Sequence, residues 1–170
     1  MKTKSKKKQQ EHPPPKNSEA APIVGVKRIL VPIDFSEHSK NALQYAIPFA
    51  KQFDAELLLV YIVEPTIYPA DFSFGQVGIP SLEAEMREKG KESLKRLMKE
   101  QVADEVSART IIHTGKPFLE IINVAREEKV DLIIIATHGH TGVEHILFGG
   151  TAEKVVRKAH CPVLVVRPRT

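Results

Sequence analysis

The chain has 170 residues, 42% hydrophobic and 27% charged, which suits one globular domain with a substantial core and leaves no room for a second of ordinary size. No apolar run approaches the ~20 residues of a bilayer-spanning helix, and a single cysteine, Cys161, excludes an internal disulfide and fits a reducing, cytoplasmic setting. The net charge of +4 lies wholly at the N-terminus: residues 1–22 hold six of the 25 basic side chains and two of the 21 acidic ones, so the remaining 148 residues balance at 19 against 19.

The stretch "MKTKSKKKQQEHPPPKNSEAAP" is rich in Lys, Gln and Pro and has no apolar periodicity, so it reads as a disordered basic arm over 1–22, ahead of a folded domain over 23–170. No apolar segment follows its lysines, which argues against a secretory signal. Contact with nucleic acid or an anionic membrane is an alternative for this arm alone, because the rest of the chain has no excess positive charge.

From Arg28 the pattern becomes regular. "RILVPI" predicts a first strand, and "DFSEHS" supplies Asp34, Ser36 and Glu37 as helix-start residues. "SKNALQYAIPFAKQF" spaces its apolar residues for a helix, which Pro48 should kink. "AELLLVYIV" (55–63) is a second strand, followed by a loop with Pro65, Pro69, Gly75, Gly78 and Pro80. A long helix over 81–101 carries Glu/Lys pairs. "EVSARTII" (105–112) alternates as a strand with Val106, Ala108, Thr110 and Ile112 on one face. "GKPFLEIINVAREEK" places Pro117 at a first helical position. "DLIIIA" is a buried strand, residues 151–159 form a short helix, and "CPVLVVR" is a fifth strand.

Apolar strands alternating with helices predict an α/β fold, a single doubly wound domain with a parallel sheet covered on both faces. Such sheets bind ligands beyond the carboxyl ends of their strands, where the strand order reverses. In the order 3-2-1-4-5 that point lies between strands 1 and 4, whose ends carry "PIDFS" and "ATHGHTG".

Three chemistries compete for the loop that follows strand 4. Gly139, Gly142, Gly149 and Gly150 let backbone amides approach an anion, and the helix starting near Thr151 aims its N–H groups and dipole at the same point. Asp34 suits a ribose hydroxyl or the water shell of Mg²⁺. A plain structural turn explains the glycines equally well. A metal would use His138, His140 and His145, but the flanking glycines suggest a turn whose side chains diverge. Covalent catalysis has weaker support still: Cys161 precedes Pro162 at the entry to an apolar strand, where a buried thiol is usual, and no nucleophile elbow or general acid/base pair stands out. No catalytic and no metal residue is assigned.

"ILVPIDFSEHSKNALQYA", "GKPFLEIINVA", "DLIIIATHGHTG" and "ILFGGTAEKVVRKAHCPVLVVR" resemble the universal stress protein family, in the family's order and spacing across residues 27–168. The resemblance implies a five-stranded parallel sheet of order 3-2-1-4-5 with helices on both faces. It also implies a cytoplasmic stress-response protein that forms a homodimer through its last strand, residues 162–167.

One branch of the family binds ATP through a glycine, two residues, a glycine, nine residues, then a glycine followed by serine or threonine. In this sequence those positions hold Ala136, Gly139, Gly149 and Gly150, so the first and last depart from the pattern. Thr151, one residue on, can partly replace the missing hydroxyl. The resemblance places Pro32, Ile33 and Asp34 around the adenosine and Ile62 beside the base. Thr137, His138, His140 and Gly142 fall in the loop that passes the ribose and phosphates. It therefore implies binding of ATP or another adenine nucleotide, with or without Mg²⁺, and at most slow hydrolysis. The alternative is a dimeric interaction protein that binds no nucleotide and whose glycine loop is structural.

Overall fold

The computed structural model describes residues 25–64, 79–137 and 150–167. The basic arm and most of the loop after strand 4 lie outside the described residues. The elements in chain order are β1 (Arg28–Pro32), α1 (Glu37–Phe53), β2 (Glu56–Val63), α2 (Ile79–Leu97) with a π-helical turn Met98–Val102, β3 (Ala108–Thr114), α3 (Pro117–Glu127), β4 (Leu132–Ala136), α4 (Gly150–Lys158) and β5 (Val163–Val166).

All five strands are parallel, in the order β3-β2-β1-β4-β5. Successive strand residues face opposite sides, and here both sides are covered. On one side Ile29, Val31, Leu57, Leu59 and Ile134 pack with Leu43, Ala46 and Ala50 of α1 and Leu94 of α2. On the other, Leu30, Leu58, Val60, Ile133 and Ile135 meet Ile121, Val124 and Ala125 of α3 and Val155 of α4. This double burial explains why the strands read as unbroken apolar runs.

Local chemistry sets the boundaries. Ser36 caps α1: its Oγ accepts from the Ser39 N–H at 3.2 Å. Asp54 closes the helix in the left-handed conformation, φ 51°, with its N–H donating to the Ala50 carbonyl. α1 runs as one helix through Pro48. Pro48 and Gln44 are both exposed, so the carbonyl that loses its partner faces the solvent side.

Two expected boundaries shift. The helix expected over 81–101 is α2 followed by the π-helical turn, which ends at Ala103 with φ 45°. The third strand begins three residues later than its alternation suggests, at Ala108, where pairing with Leu57 starts, and extends to Thr114. Residues 103–107 are taken by the turn, with the Glu105 N–H donating to the Val102 carbonyl at 3.1 Å. Val106, Ala108 and Ile112 do share a core-facing side, while Thr110 is exposed.

At the amino ends of the strands an ionic cluster ties the layers together. Arg109 on β3 meets Glu56 on β2 at 3.1 Å and Glu128 after α3 at 2.5 Å. The guanidinium hydrogen bond holds the Glu128 carboxyl below the usual carboxylate range. Asp131 accepts from the Lys27 and Arg28 amides at 2.7 and 2.9 Å, which anchors β1 beside β4.

Candidate functional site

The strand order reverses between β1 and β4, and a crevice of about 420 Å³ opens at their carboxyl ends. That volume lies within the range of small-molecule sites. Strands β1, β2 and β4 and helices α1 to α4 all contribute to it, because every helix that follows a parallel strand starts at that strand's carboxyl end.

The β1 wall is Pro32, Ile33, Asp34 and Phe35. The Asp34 carboxylate is oriented by Ser36: Oδ1 accepts from the Ser36 N–H at 3.0 Å and from its Oγ–H at 2.6 Å. The same Ser36 Oγ caps α1, so the helix start and the carboxylate form one network. Ser39, buried at 4% exposure, completes it by donating from Oγ to the Ser36 carbonyl at 3.0 Å. Phe35 takes a left-handed backbone, φ 65°, which is uncommon for an aromatic residue. Its ring lies 4.9 Å from that of Tyr61, centroid to centroid, at 48°. Tyr61 in turn rests on Gly90 of α2, where an added Cβ would fall 2.4 Å from the ring.

Opposite, β2 contributes Ile62 and Glu64, and β4 contributes Ile135, Ala136 and Thr137. Thr137 is 1% exposed and its N–H donates to the Val166 carbonyl at 3.0 Å. Pro117 and Ile121 of α3, Met86 of α2, and Gly150, Thr151 and Ala152 at the start of α4 close the remaining sides. The first-turn amides of α4 have no partner within their helix and carry its positive dipole end. The charged residues among the described lining are Asp34 and Glu64, both acidic.

Of the residues singled out in the sequence, Pro32, Ile33, Asp34, Ile62, Ala136, Thr137, Gly150 and Thr151 line this one crevice. His138, Gly139, His140, Gly142 and Gly149 lie outside the described residues. Phe35, Ser39, Tyr61, Glu64, Met86, Pro117 and Ile121 line the crevice without having been singled out for it. Pro117 had a signal, since a helix start after a parallel strand stands level with the site. Met86 had none.

The remaining chemical groups sit elsewhere. The Cys161 thiol packs against the α3 side of the core, and burial pushes its pKa up, away from a reactive thiolate. His113 Nδ1 lies 3.1 Å from Glu120 Oε2 at the end of β3, outside the crevice lining. Among the described residues no three His, Cys, Asp or Glu converge as a metal site, and no helix is long and apolar enough to cross a membrane.

Known proteins are similar to this chain in sequence and in fold. A universal stress protein of Methanocaldococcus jannaschii is 38% identical over 147 residues, covering 83% of this chain and 82% of its own length. The universal stress protein YxiE of Bacillus subtilis is 35% identical over 145 residues, covering 82% of this chain and 98% of its own. The solved structure of the M. jannaschii protein MJ0577 superposes with a TM-score of 0.75 at 31% identity, over 86% of this chain and 99% of that one. Two further solved structures share the fold at a TM-score of 0.57 and 20% identity: a universal stress protein in complex with cAMP, and one from Archaeoglobus fulgidus in complex with dAMP. They cover 84% of this chain and 98% of their own. The model of the universal stress protein family matches residues 25–167, a span that holds every element from β1 to β5, and on that match and these relatives the chain belongs to the universal stress protein family.

Proposed function

We propose that the chain is a stress-response protein that binds an adenine nucleotide, ATP with Mg²⁺, non-covalently in the crevice between β1 and β4. The observation that carries this reading is the composition of that crevice. Ile33, Ile62 and Ile135 offer apolar surface to a base, the Asp34 carboxylate suits ribose hydroxyls or the water shell of Mg²⁺, and the start of α4 offers amides to phosphate. Two proteins of the same fold hold cAMP and dAMP, which supports an adenine nucleotide as the kind of ligand this architecture accepts. The glycines at 139, 142 and 149 and the histidines at 138 and 140 complete the phosphate loop in this reading.

Bound nucleotide modulates dimerisation or partner contacts, and hydrolysis is slow at most. The homodimer forms through residues 162–167: among the described residues β5 is an edge strand with no partner on its outer side, and three of its four residues are only half-buried. The protein works in the cytoplasm, which suits a single half-buried thiol.

The second reading, a dimeric protein that binds no nucleotide, is favoured by one observation: Gly150 stands where the ATP-binding pattern has a hydroxyl side chain. Mass spectrometry of protein purified from cells, with melting in millimolar MgATP, separates the two. The nucleotide reading expects co-purified adenine nucleotide or a raised Tm, and a Gly139→Val variant that has lost the shift. An unchanged Tm and an empty protein support the second reading.

A further inference from the structure

The nucleotide reading leaves a charge to be balanced. A polyphosphate tail brings several negative charges, whereas the described charged residues lining the crevice are Asp34 and Glu64. The amides of α4 supply only partial positive charge. With Mg²⁺ bound the polyphosphate still carries net negative charge, which a side-chain cation at the rim would meet.

Lys154 stands there. It lies one helical turn beyond Gly150, and side chains on a helix lean toward its N-terminus, here toward the crevice. Its Nζ sits 4.9 Å from the centre of the Phe118 ring. Phe118 is the second residue of α3 and follows Pro117, which lines the crevice. Lys154 and Phe118 do not line the crevice themselves but follow lining residues directly in sequence, Ala152 by two positions and Pro117 by one. Among the described residues the Lys154 ammonium pairs with no carboxylate, and the neighbouring Glu153 is engaged by Arg157 at 3.1 Å. Lys158, a turn further along, reaches the same ring from 5.9 Å.

We infer that Lys154 is the cation that takes the distal phosphates of the bound nucleotide, leaving the face of Phe118 as they arrive. The inference rests on the nucleotide reading above. A cation over a half-buried ring at the surface is held less strongly than a charge-assisted bond to phosphate, so the exchange runs toward the ligand. Phe118 acts as a parking place that keeps the lysine ordered at the rim. The consequence is selectivity: Lys154 favours triphosphate over monophosphate.

The test is calorimetric titration of the full chain with MgATP and, separately, with AMP, for the unaltered protein, Lys154→Met and Lys158→Met. Lys154 is exposed, so its substitution leaves the core untouched, which melting of the unliganded variant checks. Lys154→Met is expected to weaken MgATP about tenfold and to hold AMP within about twofold of the unaltered protein. Lys158→Met is expected to keep the preference for ATP. Unchanged MgATP affinity in Lys154→Met, or equal loss of ATP and AMP, overturns the inference while leaving the nucleotide reading intact. So does an equal loss of preference in Lys158→Met. No binding of either nucleotide by the unaltered protein overturns the nucleotide reading and this inference with it.

Discussion

Among the described residues, a Cβ added at position 150 meets nothing within 4 Å. Gly150→Ser restores the hydroxyl that the ATP-binding pattern carries, at the head of α4 where the phosphates are proposed to lie. It is expected to tighten MgATP several-fold with little change in Tm, as read by titration. Weaker binding would place the phosphates elsewhere. Ser36 is the complementary case, because one hydroxyl both caps α1 and orients Asp34. Ser36→Ala is expected to lower stability by about 1 kcal/mol, measured by chemical denaturation, and to weaken nucleotide binding as well. Sequence alone showed Asp34 and Ser36 as helix-start residues. It could not show that they are one network, because that depends on the left-handed turn at Phe35, which no residue type announces when the residue is aromatic.

At the scale of elements, Gly90 shows what periodicity misses. In the sequence the helix over 81–101 is marked by its Glu/Lys pairs, and nothing there singles out Gly90. In the fold Gly90 is buried and seats Tyr61, whose ring packs at a tilt against Phe35 at the crevice wall. Gly90→Val is expected to destabilise by about 1–3 kcal/mol despite the better helix former, because the side chain overlaps the ring. It should also weaken nucleotide binding through the displaced Tyr61–Phe35 pair; an unchanged or raised Tm would contradict the contact. The central strand gives the larger effect. Leu30 is fully buried between β1 and the α3–α4 layer, and Leu30→Ala is expected to cost about 2–5 kcal/mol in the same denaturation measurement. The strands themselves were legible, since burial on both faces leaves continuous apolar runs. The end of the long helix was not, because a π-helical turn at Met98–Val102 continues the helical spacing without continuing the helix.

At the scale of the whole molecule, the alternation of strands and helices argued for a parallel sheet, while the strand order rested on resemblance to known sequences and not on pattern. Once the order is β3-β2-β1-β4-β5, the location of the crevice follows from topology. The polarity of the domain follows too, with an ionic cluster at the amino ends of the strands and the crevice at the other. That cluster predicts an acid response. Glu128 has its folded pKa lowered, chiefly by the hydrogen bond from Arg109, so the stability it contributes is present above its unfolded pKa and is lost as pH falls through the depressed folded value. Both side chains are about a third exposed, at 39% for Arg109 and 32% for Glu128, so solvent screening keeps the effect small. Arg109→Met should flatten the fall of Tm as pH drops below the ordinary glutamate value of about 4.5, and an unchanged slope there would remove the cluster from the acid response.

The crevice between β1 and β4 is proposed to hold an adenine nucleotide. Titration of the purified chain with MgATP, read by calorimetry and by Tm on the same sample, tests it most directly. The predicted result is saturable binding with one nucleotide per chain and a Tm that rises with concentration, equivalent to about 3 kcal/mol at a hundredfold excess over Kd. No heat of binding and an unchanged Tm in millimolar MgATP would contradict it.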